Sequence, residues 1–124
     1  MALYVHKYGG TSVGSVERIE GVAEKIKKFK DEGHDVVVAV SAMSGETNRL
    51  IELAKAISNQ PSPRELDVLV STGEQVTIAL LAMALDKQGC SAISYTGAQV
   101  QILTDSTHNK ARIKDIDDSR IRSD

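Results

Sequence analysis

Lys7 stands just ahead of a glycine-rich turn, Gly9-Gly10-Thr11-Ser12-Val13-Gly14, set between a short apolar segment and a helical pattern. Residues of these types suit an anion. Glycines let the backbone approach a ligand without Cβ interference, turn amides and a helix N-terminus present N–H groups, and Thr11 and Ser12 add hydroxyl donors. Lys7 would supply a compact positive charge. The order differs from the Walker pattern, where Lys follows the glycines, and from the dinucleotide fingerprint G-x-G-x-x-G. The same residues also describe an ordinary tight turn with a solvated lysine at a strand end.

A second small-residue loop, Ser41-Ala42-Met43-Ser44-Gly45-Glu46-Thr47, follows another apolar run. In an open parallel sheet, loops leaving the carboxyl ends of neighbouring strands meet where ligands bind, so Ser41, Ser44 and Thr47 could face the same ligand as Lys7. They could equally cap the following helix. Glu74 lies in Ser71-Thr72-Gly73-Glu74-Gln75, just before a strongly apolar run. A carboxylate there needs a partner: a substrate ammonium, a structural Arg or a helix N-terminus. His6 and His108 have no metal-ligand spacing to a second His or Cys, His34 reads as a loop residue and Cys90 as a small buried one; no metal site is assigned to the protein itself.

Elements positioning these residues follow from periodicity. Leu3 to Tyr8 reads as a strand stopped by Gly9-Gly10. Val16, Ile19, Val22, Ala23, Ile26 and Phe29 recur at helical spacing, with Ser15 to cap the start and Gly33 to end it. Val36 to Val40 is an unbroken apolar run, as expected of a parallel strand covered on both faces. Leu50 to Ile57 marks a second helix before Pro61 and Pro63. Arg64 to Gln88 is one long helix or two abutting ones; Val76 to Leu85, apolar almost all round, is expected to be buried, and Gly89 to end it. Ala92 to Tyr95 reads as a third strand, Val100 to Thr104 as a weaker fourth, and Asp105 to Asp124 as a partly ordered surface tail.

Composition narrows the function classes. The 124 residues are 41% hydrophobic and 26% charged, which suits one globular domain. A net charge of -2 without basic blocks, and only four aromatic residues, argue against nucleic acid as a partner. Val76 to Leu85 is about half the roughly 20 residues of a membrane span, and the N-terminus lacks a secretory signal pattern, so no membrane partner is expected. One cysteine suits the reducing cytoplasm.

Three strings in order, KYGGTSVG from Lys7, VSAMSGETN from Val40 and STGEQVTIALLAMAL from Ser71, together with GAQVQILTDSTHNKARI from Gly97, make the whole chain resemble the N-terminal part of bacterial aspartokinases, members of the amino-acid kinase superfamily. The resemblance implies a three-layer α/β/α sandwich with a mainly parallel sheet, of which residues 1–124 form the N-terminal half. It implies transfer of the γ-phosphoryl group of ATP, carried with Mg²⁺, to the side-chain carboxylate of L-aspartate, on the route to lysine, threonine and methionine.

By the family pattern, Lys7 would neutralise the transferring phosphoryl group, and the backbone of Gly9 and Gly10 with Ser12 would hold phosphate oxygens. Ser41 would lie near the nucleotide phosphates, Thr47 near the aspartate, and Glu74 would bind its α-ammonium. Family members carry a second half of the kinase domain, with the base pocket and the arginine for the aspartate α-carboxylate, and then regulatory ACT domains; this chain alone is therefore expected to be inactive, and the complete protein to be a homo-oligomer. Alternatives are a related kinase of glutamate, acetylglutamate, carbamate or a nucleoside monophosphate, and a non-catalytic association module of the same fold.

Overall fold

Strand, helix and strand open the chain as the periodicity requires, and the computed structural model describes residues 1–124. The elements are β1 (Leu3–Tyr8), α1 (Val16–Asp31), β2 (Asp35–Val40), α2 (Glu46–Ile57), α3 (Pro63–Lys87), β3 (Ile102–Thr104), β4 (Ile113–Ile116) and α4 (Ser119–Ser123). Ser15 caps α1 by accepting from the N–H of Arg18. Gly33 and Gly89 take φ of +89° and +77° beyond α1 and α3, the left-handed conformation that lets a helix end sharply.

β1 and β2 pair in parallel, from Leu3 beside Asp35 to Tyr8 beside Val40. Strand alternation places Tyr4, His6, Tyr8, Val36, Val38 and Val40 on one face. That face carries the core, in which Val13 and Ile19, Val22, Ala23 and Ile26 of α1 meet Leu81 and Leu85 of α3. Phe29 of α1 sits edge-on to Tyr4 and His6, with ring centroids 4.9 and 4.7 Å apart. The opposite face is open: Leu3 is 56% exposed and Val5 71%. The expectation that β2 is covered on both faces is thus corrected, because the helices that pack on it, α1 and α3, share one side.

α3 is a single helix running through Ser71–Gln75. Its buried seam is Gly73, Thr77, Leu81 and Leu85, one residue per turn, and the Thr77 hydroxyl donates to the Gly73 carbonyl at 3.3 Å. The remainder is less covered than its apolarity predicts, since Val76 and Met83 are exposed. Because the helix joins Leu66–Val70 to Val76–Leu85, its 25 residues reach the length and mean hydropathy, 1.7 over 18 residues, that a membrane span also has. Its seam is packed against α1 and α2.

The C-terminal third departs most from expectation. Ala92 to Tyr95 forms no strand; no other strand supplies a ladder to it. The weak strand starts only at Ile102, after a turn at Gln101 with φ +59°, and pairs antiparallel with β4, whose Ile116 stands opposite Ile102. The expected tail is therefore structured: it contributes β4 and α4, Arg120 lies 4.9 Å over the Tyr95 ring, and Asp67 of α3 holds His108 Nδ1 at 3.2 Å and accepts from Asn109 N–H at 3.1 Å.

Candidate active site

The turn after β1 is shaped by its own backbone. Ser12 N–H donates to Gly9 O at 3.1 Å and Gly14 N–H to Thr11 O at 3.4 Å. Arg18, one turn into α1, donates from Nη1 to Thr11 O at 3.1 Å. No carbonyl or side chain of the protein accepts from the N–H groups of Gly9, Gly10 and Thr11. Three successive unpaired amides beside a helix N-terminus are the donor set an anion requires.

The loop after β2 is fastened to this turn. Ser41 N–H donates to Tyr8 O and Ser44 N–H to Gly10 O, both at 3.1 Å. Gly45, with φ +83°, occupies the N-cap of α2 and no side chain caps that end, so Ser41 and Ser44 are free of the capping role. Thr47 lies in the first turn of α2, where Glu46 and Arg49 are paired through Nε–Oε2 at 3.0 Å and Nη2–Oε1 at 2.6 Å. The Arg49 hydrogen bond holds the Glu46 carboxyl below its ordinary value, and Glu46 in turn raises Arg49.

These loops and α3 enclose a cleft of about 280 Å³ whose lining includes Gly10, Ser41, Ser44, Thr47, Asn48 and Glu74. Glu74 sits in the interior of α3, exposed to solvent where it lines the cleft, and forms no ion pair. The expectation that its charge needs a protein partner is corrected, because water reaches it, and neither a structural Arg nor a helix N-terminus holds it. An unpaired carboxylate flanked by hydroxyl and amide groups is suited to an ammonium group. Asn48 was not singled out by sequence; its position one residue after Thr47 in the first turn of α2 is the signal that could have found it.

Lys7, Gly9 and Ser12 do not line this cleft. Gly9 and Ser12 lie in the exposed turn at its edge. Lys7 is exposed and borders a separate hollow of about 450 Å³ with His6, Tyr8, Lys25, Lys28 and Phe29. Next to it, Tyr8 Oη and His6 Nδ1 are 3.2 Å apart, and burial pushes the Tyr8 phenol above its ordinary value.

The model of the Amino acid kinase family matches residues 2–123. The chain belongs to that family. It is 75% identical over 126 residues to an aspartate kinase of Pseudomonas fluorescens (strain SBW25), covering 100% of this chain and 30% of that protein. It is 58% identical over 119 residues to aspartokinase 2 of Bacillus subtilis (strain 168), covering 96% of this chain and 29% of that one. Within the amino acid kinase family, the chain thus corresponds to an N-terminal segment of aspartate kinases and spans about 30% of their length. Among solved structures it is similar to the aspartate kinase from Synechocystis, with a TM-score of 0.76 and 54% identity over 81% of this chain and 17% of that one. It shares the fold of E. coli aspartokinase III in complex with aspartate and ADP, with a TM-score of 0.77 and 21% identity over 92% of this chain and 35% of that one.

Proposed function

We propose that this chain is the phosphate- and aspartate-binding part of an aspartate kinase, which transfers the γ-phosphoryl group of Mg-ATP to the side-chain carboxylate of L-aspartate and yields 4-phospho-L-aspartate. The observation that carries the reading is the cleft in which Gly10, Ser41, Thr47 and the unpaired Glu74 meet beside three unpaired amides. The 73–75% identity to aspartate kinases across the whole chain supports it.

The chemistry asks for positioning and charge neutralisation more than for bond-making groups. Phosphoryl transfer passes through a loose transition state with charge spread over the equatorial oxygens. In the proposed arrangement the amides of Gly9 and Gly10, with Ser12 and Ser41, hold phosphate oxygens, and Lys7 meets the charge of the transferring group. Thr47 and Glu74 orient the aspartate, Glu74 through the α-ammonium. The attacking carboxylate is ionised near neutral pH, so no protein base is needed. Mg²⁺ is delivered by ATP and held mainly by phosphates and waters. We assign the whole enzyme to the cytoplasm, as a homo-oligomer; the single cysteine supports the reducing compartment.

The test is trapping of the acyl phosphate as a hydroxamate. A chimera carrying residues 1–124 in place of the matching segment of the Pseudomonas fluorescens aspartate kinase is supplied with L-aspartate, Mg-ATP and hydroxylamine. Aspartate-dependent hydroxamate is expected, with none from glutamate, acetylglutamate or carbamate. A folded chimera that forms no hydroxamate from aspartate would overturn the assignment. The isolated chain, with one face of its sheet open, is expected to form none.

A further inference from the structure

Ala42 lies buried where the turn after β1, the loop after β2 and helix α3 converge, and both of its glycine neighbours touch it closely. A Cβ on Gly10 would stand 3.0 Å from Ala42 O, and a Cβ on Gly73 would stand 3.0 Å from Ala42 Cβ. The Gly73 position is further enclosed by Glu46 Cγ at 3.6 Å and Leu50 Cδ1 at 3.7 Å. Glycine is a poorer helix residue than alanine, and its presence within an apolar helix calls for a packing reason. The Ala42 contact supplies one. Gly10 carries one of the unpaired amides, and Gly73 immediately precedes Glu74.

We infer that Gly10, Ala42 and Gly73 form a stack that sets the separation between the phosphate turn and the acceptor site, and that Gly73 is a positioning residue acting through Glu74. The inference rests on the proposed aspartate kinase reading. Any side chain at position 73 must push α3 away from Ala42 by a few tenths of an ångström, because packed interiors have no slack to absorb it. Ala42 is itself seated against Gly10, so the loop cannot yield freely. The displacement carries Glu74 away from Thr47 and Asn48 while leaving the amides of the β1 turn where they are. Misplacement by a fraction of an ångström at a reacting centre corresponds to about tenfold in the affected parameter.

The experiment uses the same chimera with Gly73→Ala, with Gly73→Ala combined with Ala42→Gly, and with Glu74→Ala. Gly73→Ala is expected to raise KM for aspartate about tenfold and to leave KM for ATP within about twofold. Removing the opposing methyl with Ala42→Gly should bring the aspartate KM back to within about threefold of the parent. The inference is overturned by an unchanged aspartate KM in Gly73→Ala, by an equal rise for both substrates, or by a double variant that shows no recovery. If Gly73→Ala alone fails to fold, recovery of folding and of aspartate KM in the double variant supports the stack, and a double variant that also fails to fold overturns it. Glu74→Ala separates the two ideas: an unchanged aspartate KM there removes the ammonium role of Glu74 and with it the action of Gly73 through that residue, while the packing of positions 42 and 73 against each other is still read from its own rescue.

Discussion

Ser44 donates its backbone N–H to the carbonyl of Gly10 across 3.1 Å, so the loop after β2 and the turn after β1 are one hydrogen-bonded body. At this junction Gly10 also leaves no room for a side chain, its Cβ position lying 3.0 Å from Ala42 O and 3.5 Å from Ser44 Cα. Both neighbours are backbone atoms and cannot rotate aside. Gly10→Ala should therefore destabilise the chimera by about 1–3 kcal/mol, the usual range for overpacking, and raise KM for ATP. Urea denaturation and ATP saturation check the two effects, and an unchanged midpoint would mean that the loops separate at little cost.

Lys7 makes no ion pair and is exposed at the end of β1, so its replacement removes little packing. Its proposed work is electrostatic and confined to the transition state. Lys7→Ala should lower kcat by about 100- to 1,000-fold, as removal of one preorganised charge-stabilising donor does elsewhere. The melting temperature should stay within about 2 °C, since substitutions away from packed features are usually near neutral. A kcat within fivefold of the parent would return Lys7 to a solvated lysine at a strand end.

The parts of the fold read correctly from sequence are those whose signals are local. Gly9-Gly10 stops β1, Ser15 and Gly33 bracket α1, and each device acts within a few residues of itself. Ala92 to Tyr95 failed as a strand because strand formation needs a neighbour, and the composition of a segment says nothing of whether one is present. β4 was hidden for the converse reason: Ile113 and Ile116 are isolated apolar residues in a charged stretch, and only pairing with β3 gives them a register. In the candidate site, residue types and order were legible for Gly10, Ser41, Thr47 and Glu74. The ion pair of Glu46 with Arg49, the Arg18 bond to Thr11 and the Ala42 contact of Gly73 were not, because each depends on a distance that spacing alone does not state.

Arg18 is exposed, and its bond from Nη1 to Thr11 O holds the far side of the turn that carries the unpaired amides. Hydrogen bonds from charged groups contribute about 1.5–3 kcal/mol when protected, and solvent reduces this for an exposed guanidinium to about 1 kcal/mol. Arg18→Ala is thus expected to raise KM for ATP about fivefold, with aspartate KM unchanged. Arg18→Lys should recover part of it, keeping charge but losing the fixed fork. Equal effects on both substrates would mean that Arg18 supports the whole domain and not the turn.

Glu46 opens α2, and the hydrogen bond from Arg49, with desolvation opposing it, holds its carboxyl below the ordinary 4.5. A carboxyl whose folded pKa is depressed stabilises the folded state above its unfolded pKa, and that contribution disappears as pH falls through the folded value. Comparison of the chimera with its Glu46→Gln variant isolates this group from the other carboxylates. The parent should melt higher than Glu46→Gln at pH 7, the gap should hold down to about pH 4.5, and it should close progressively below that as Glu46 takes up its proton. Arg49→Gln removes the largest cause of the shift and should abolish most of the same gap. A difference that stays constant from pH 7 to pH 3 would show that the Gln side chain acts through packing against Gly73 and not through loss of the charge.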